Sequence, residues 1–129
     1  MSIEEKQDSP TFQDSDSIKY LQSEKEVSDY IKRCYKSNIP IELIGSGSKK
    51  QIGKRIQTGK TLSFSKITGI REYFPEELYI TVKAGTPIIE IEEELKKNRQ
   101  QLAFEPIDFG YLFSNKSNYG TAAGLVSCN

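Results

Sequence analysis

Residues 39–53 read Ile39-Pro40-Ile41-Glu42-Leu43-Ile44-Gly45-Ser46-Gly47-Ser48-Lys49-Lys50-Gln51-Ile52-Gly53. Ile41, Leu43 and Ile44 form a short apolar strand that empties into a loop almost bare of side chains. A loop at the carboxyl end of a strand is where open α/β sheets bind ligands. From Gly45 to Ser48 the loop can present backbone N–H groups and hydroxyls to an anion, with Lys49 and Lys50 close behind. Phosphate is the natural ligand for that donor set. A flexible Gly/Ser turn is the competing reading, because Gly-x-Gly-Ser by itself is a short motif.

Two common phosphate loops are excluded by spacing. From Gly47 the next glycine is Gly53, one residue too far for a Walker A loop, and Gly53-Lys54 is followed by Arg55 rather than Ser or Thr. A dinucleotide fingerprint needs a third glycine where Lys50 stands, and no apolar helical period follows.

Upstream of the loop, Ser23-Glu24-Lys25-Glu26 has the form of a capping box, in which Ser23 accepts from the third helical N–H and Glu26 returns to the cap N–H. Val27, Tyr30, Ile31, Cys34 and Tyr35 then recur at helical spacing, predicting an amphipathic helix that Asn38 and Pro40 end. Ile18-Lys19-Tyr20-Leu21 reads as a short edge strand. Met1 to Ser17 is rich in Glu, Gln, Asp and Ser without apolar period, and is expected to be a disordered lead-in.

Downstream, Thr61–Phe64 and Ile67–Phe74 predict two strands, with Pro75-Glu76-Glu77 as a turn. Leu78, Ile80, Val82 and Ala84 alternate with Tyr79, Thr81 and Lys83, the clearest strand pattern in the chain. Gly85 closes it, Thr86 is expected to cap a second helix and Pro87 to occupy its first position. Ile88, Ile91 and Leu95 supply that helix's buried stripe. Acidic residues come early in the helix and Lys96, Lys97 and Arg99 late, as the helix dipole favours, so the charge run reads as a solvated face. Leu102-Ala103-Phe104 is expected to add a strand that Glu105-Pro106-Ile107-Asp108 breaks. Gly120-Thr121-Ala122-Ala123-Gly124 is a second glycine-bearing turn, and the chain stops soon after, as though its next element were barely begun.

The whole chain of 129 residues has the length of one domain. Lys+Arg and Asp+Glu number 18 each, so any attraction for phosphate is local and a nucleic-acid surface is not indicated. Without histidine, a His-based general base, a His metal site and a His-linked flavin are excluded for this chain. The two cysteines, Cys34 and Cys128, lack metal-ligand spacing and no signal segment precedes them, so a reducing cytoplasmic setting with two structural thiols is expected. No run is long enough to span a bilayer. Mean hydropathy of -0.57 is low for a compact domain, pointing to an unfolded part or an absent packing partner.

The order of these elements resembles a known family. Ser23 to Val27, Pro40 to Lys49 with Gly53, and Leu62 to Ile70 are similar to the flavin-binding domain of the vanillyl-alcohol-oxidase, or PCMH, type. Tyr73 to Pro87, Glu90-Ile91-Glu92 and Leu102 to Pro106 look like the FAD-binding subunit of bacterial glycolate oxidases. The resemblance implies an α+β fold, a small mixed sheet with two helices, forming the first subdomain of a PCMH-type FAD-binding domain over residues 18–129, with the second subdomain missing. It implies FAD, held non-covalently at half of a site. Gly45, Ser46, Gly47, Ser48 and Lys49 would hold the pyrophosphate, while Gly120, Thr121 and Gly124, with Pro106 before them, would approach the flavin side. Ala123 stands where the family usually has glycine, which puts the closeness of that turn to the cofactor in question.

By the same resemblance the chain is the N-terminal part of a glycolate oxidase-like 2-hydroxy-acid dehydrogenase. Its partners would be a catalytic flavin subunit and an iron-sulfur subunit, in the cytoplasm or peripheral at the inner membrane through the complex. No catalytic residue can be named. A non-catalytic, truncated flavin-fold module that docks on partner subunits is the alternative, and a nucleotide hydrolase is third, without a Mg-ligand motif to support it.

Overall fold

The computed structural model describes residues 18–54, 59–113 and 120–128. The expected lead-in at 1–17 and the stretch at 114–119 before the second glycine-bearing turn lie outside the described residues.

Strands β1 (Ile18–Tyr20), β2 (Ile41–Ile44) and β3 (Lys60–Ser63) form a parallel sheet in the order β1-β3-β2. Parallel neighbours need a crossover, and helix α1 (Glu24–Lys36) carries the chain from one edge of this sheet to the other. Ile18 pairs with Thr61, and Leu43 with Leu62. Leu21, Leu62 and Ile67 make the core, against which Val27, Tyr30 and Ile31 of α1 pack with Ile41 and Phe64. Cys34 is buried on α1 as its place on the apolar stripe predicts. Tyr35 is not: it is 83% exposed in the last turn of the helix.

Ser23 caps α1 by accepting from the Glu26 N–H at 3.2 Å. The return bond differs from the expected box, since the Glu26 carboxylate accepts from the Gln22 N–H at 2.9 Å, one residue before the cap. The chain leaves α1 through Asn38 at φ 52, a conformation asparagine tolerates.

Strands β4 (Ile70–Phe74) and β5 (Tyr79–Val82) form an antiparallel hairpin joined by a 3-10 turn at Pro75–Glu77. Parallel and antiparallel pairing are therefore divided between two small sheets. Leu78 does not join the strand: it takes the left-handed conformation that ends the turn, at φ 57. Helix α2 (Ile88–Lys97) buries Ile88, Ile91 and Leu95 against Tyr73, Ile80 and Val82 of the hairpin, with Leu102 and Leu125 closing the cluster.

Thr86 does not cap α2. Pro87 holds the cap position and offers no side-chain bond, while the Thr86 hydroxyl accepts from the Gly69 N–H at 3.0 Å and points to the Lys83 carbonyl at 2.7 Å. It ties together the two open ends of the hairpin, where the chain enters β4 and leaves β5. Beside it the Gly85 N–H donates to the Ile67 carbonyl at 2.8 Å. A side chain on Gly85 would overlap the Phe64 carbonyl, so this close approach admits only glycine.

The expected strand at Leu102–Phe104 does not form. Leu102 packs on the α2 cluster alone, and the short helix α3 (Gly110–Phe113) follows. Instead of a bare turn, the second glycine-bearing stretch opens helix α4 (Ala122–Ser127), with Thr121 at its N-cap. Of the two thiols expected to be structural, Cys34 is buried and Cys128 is exposed at the end of α4.

Candidate functional site

All three strands of the parallel sheet run in one direction, so the carboxyl ends of β2 and β3 lie side by side. The Gly45–Lys49 loop leaves β2 there. Ser63, the last residue of β3, donates its hydroxyl to the Gly45 carbonyl at 3.0 Å and lies 2.9 Å from the Ser65 hydroxyl. It fixes the start of the loop. Sequence reasoning alone does not single out Ser63, the serine that ends the strand Lys60-Thr61-Leu62-Ser63.

The loop then folds into successive turns, with Lys50 N–H donating to the Gly47 carbonyl at 3.1 Å and Ile52 N–H to the Lys49 carbonyl at 3.0 Å. Gly47 sits at φ 79, where a side chain would be strained, and the space its Cβ would occupy has only Ile44 Cδ1 nearby, at 3.9 Å. Among the described residues, no hydrogen bond uses the N–H of Gly47 or Ser48.

The second glycine-bearing stretch is brought directly onto this loop. A Cβ on Gly45 would collide with the Thr121 hydroxyl and lie 3.2 Å from Thr121 Cβ and Cγ2. A Cβ on Gly120, itself at φ 83, would lie 3.0 Å from the Ser48 hydroxyl oxygen and 3.9 Å from that of Ser46. Lys49 extends the contact, donating to the Gly124 carbonyl at 3.3 Å with its ammonium 5.7 Å from the centre of the Phe109 ring. Gly45, Ser46, Ser48, Lys49, Gly120, Thr121 and Gly124 thus converge from two ends of the chain, with Gly47 in the same loop.

The backbone explains how the second stretch is held there. The Ile88 N–H donates to the Gly120 carbonyl at 3.1 Å, Ala122 N–H to the Thr86 carbonyl at 2.9 Å, and Ala123 N–H to the Ala84 carbonyl at 3.0 Å. Ala123 lies in a helical turn, whose negative φ accepts its methyl group without strain. Thr121 closes that turn by accepting from the Gly124 N–H at 3.4 Å.

The two lysines of the loop are not equivalent. Lys50 pairs with Glu42 at 3.3 Å, and the Glu42 carboxylate also accepts from the Thr61 hydroxyl at 3.0 Å. Its charge is matched along β2, which leaves Lys49 as the cation facing the second stretch. Pro106 is half buried, and among the described residues no hydrogen bond ties it to the cluster; its segment reaches the site through Phe109. A separate cavity of about 250 Å³, lined by Val27, Phe64, Ile67 and Val82 with Arg71 and Lys83, contains none of these residues.

N–H groups, serine hydroxyls and one ammonium make a donor set without carboxylates, suited to a phosphate or pyrophosphate. Open space where Gly47 lacks a side chain lets such a group approach the backbone. The residues present therefore fit the pyrophosphate of a dinucleotide.

Comparison with known proteins agrees with this geometry. Residues 16–124 match the FAD binding domain family. The sequence is 33% identical over 100 residues to glycolate oxidase subunit GlcE of Escherichia coli (strain K12), covering 78% of this chain and 26% of that relative. The fold is similar to two crystal forms of alkyldihydroxyacetonephosphate synthase. One superposes with a TM-score of 0.57 at 18% identity, over 83% of this chain and 19% of that one. The other gives a TM-score of 0.53 at 20% identity, over 81% and 24%. The chain spans about a quarter of the length of the curated relative it matches. Among the described residues no helix is long and apolar enough to cross a membrane. With an α+β fold of the PCMH type and a donor set suited to phosphate at the carboxyl ends of its parallel strands, the chain belongs to the FAD binding domain family, and FAD is its cofactor.

Proposed function

We propose that the chain is the N-terminal part of the flavin-binding subunit of a glycolate oxidase-type 2-hydroxy-acid dehydrogenase. Residues 18–129 form one wall of the cofactor cleft, and a second subdomain supplies the other. The observation that carries this reading is the fit of Thr121 into the space that Gly45 leaves open, which joins two glycine-bearing stretches far apart in sequence into one surface.

On that surface the N–H groups of Gly47 and Ser48 and the Ser46 and Ser48 hydroxyls bind the pyrophosphate. Lys49 balances its charge, held in place by the Gly124 carbonyl and the Phe109 ring. Gly120, Thr121 and Gly124, with Pro106, line the path toward the flavin. Bound FAD would supply the two-electron acceptor for oxidation of glycolate to glyoxylate. This part of the chain binds and orients and has no catalytic residue of its own. Similarity to a protein named as a subunit supports assembly with partner subunits, which on this proposal are a catalytic flavin subunit and an iron-sulfur subunit, and two unpaired thiols are compatible with the cytoplasm.

The test is flavin retention by the full-length protein. Wild type should copurify with FAD, read from its absorbance, and Gly47→Asn, which tolerates the φ 79 turn but fills its open face, should lose most of it with little change in folding. Lys49→Gln should weaken FAD binding about tenfold, as expected for loss of one charge-assisted contact worth roughly 1.5 kcal/mol. Wild-type protein that takes up no FAD but still associates with a catalytic subunit would overturn this reading in favour of a non-catalytic docking module.

A further inference from the structure

The tip of the hairpin carries an apolar cluster that the described residues leave exposed. Phe74 and Tyr79 are direct cross-strand partners with ring centroids 5.1 Å apart. Side chains alternate along a strand, so this pair stands on the face opposite Tyr73 and Ile80, which pack against α2. Next to the pair Leu78 is 80% exposed and held at φ 57. Glycine or asparagine is the usual residue for that conformation, so an exposed leucine there gains neither backbone ease nor burial.

The tip is also braced. Leu78 N–H donates to the Pro75 carbonyl at 3.3 Å. Gln100 reaches across from beyond α2, accepting from the Tyr73 hydroxyl and donating to the Pro75 carbonyl, each at 2.6 Å. Glu72, Glu76 and Glu77 are exposed around it, and none forms an ion pair among the described residues.

We infer that Phe74, Leu78 and Tyr79 form a preformed knob that docks into an apolar pocket rimmed by Lys and Arg on another protein subunit. The inference rests on the proposal that the protein works in a multi-subunit oxidoreductase. A strained conformation maintained at an exposed apolar residue marks function rather than folding, and bracing lowers the ordering cost of binding. The carboxylates select a basic partner over a second copy, since a two-fold contact through this tip would set the same acidic rim against itself.

The experiment measures affinity of the full-length protein for the catalytic flavin subunit and for the iron-sulfur subunit, produced separately. Leu78→Asn keeps the left-handed turn and should weaken binding to one of them tenfold or more, with FAD content and thermal midpoint unchanged. Glu76→Lys with Glu77→Lys should slow association and remove its salt dependence. Wild-type affinity in both variants would overturn the knob while leaving the multi-subunit reading intact; failure of the wild type to bind either subunit would overturn both. Sedimentation showing that Leu78→Asn dissolves a homodimer would reassign the surface to a second copy. Strong hydrogen-exchange protection of residues 74–79 in the partner-free protein would reassign it to another part of the same polypeptide.

Discussion

Leu62 in β3 and Ile88 in α2 are both almost completely buried, yet the cores around them are built in opposite ways. In the parallel half the strand and the segments at its ends supply the buried residues, Leu21, Leu62 and Ile67, while α1 contributes a half-buried cover. In the hairpin half the helix supplies all three, Ile88, Ile91 and Leu95, and the strands are the cover. The difference follows from connectivity. Parallel strands point their carboxyl ends the same way and leave one edge of the half open for a ligand loop. An antiparallel hairpin closes on itself and leaves its helix to hold whatever is to be presented. The hairpin half accordingly carries the bracket, Ala84 to Ile88, that places Gly120 and Thr121 against the loop of the other half.

This division makes the joint between the halves the most sensitive point. Gly85→Ala should destabilise the protein by about 4 kcal/mol or more, at the exceptional end of single substitutions, because the methyl group has nowhere to go but into the Phe64 carbonyl. Urea unfolding would show it, and a loss below about 1 kcal/mol would mean that the halves can slide apart freely. Thr86→Val tests the next residue by chemistry rather than volume. Removing the hydroxyl leaves the Gly69 N–H without its acceptor and should cost roughly 2 kcal/mol. Flavin content should change little, since the Thr86 carbonyl that holds Ala122 is main chain and is kept in valine.

The parallel half alone should respond to Ser23→Ala, by about 1 kcal/mol in thermal or urea unfolding, as one helix cap is lost. A smaller effect on the same helix comes from pH. The Gln22 N–H, and after it Lys19, hold the Glu26 carboxyl below its ordinary 4.5 despite some desolvation, and the Lys25 ammonium does the same for Asp29. A carboxylate depressed by folding stabilises the folded state above its unfolded value and loses that contribution as pH falls through the folded value. Acid titration of helical circular dichroism should therefore show α1 loosening below about pH 4.5, with part of the slope removed in Glu26→Gln. An unchanged slope would show that the Gln22 contact is not maintained in solution.

Much of the fold was legible because its signals are local. The stripe Ile88, Ile91, Leu95 reads the same in sequence and in structure, as does the Ser23 cap. Misreadings came where a long-range partner outbid a local rule. Thr86 before Pro87 has the form of a helix cap, but Gly69, 17 residues earlier at the entry to β4, claims its hydroxyl. Leu78 fits the alternation of β5, but the register of Phe74 against Tyr79 leaves it in the turn. Leu102 to Phe104 has strand composition, but among the described residues no strand pairs with it, and Leu102 packs on the α2 cluster. For the candidate site, glycine and serine content marked both stretches. Ser63 was missed because only its hydrogen bond to Gly45 distinguishes it from any other serine.

The residues from Ile41 to Lys49 determine, without help, that a strand ends in a loop of donors with a cation behind it, because strand propensity and the absence of side chains act within a few residues. They do not determine which lysine serves the loop, or what closes it. Tertiary structure decided both. Glu42, itself held by Thr61 across a strand pair, claims Lys50, leaving Lys49 to reach Gly124. Gly45 acquires its meaning only when Thr121 arrives in the space where a side chain would have been, a steric fit between residues that no local rule connects.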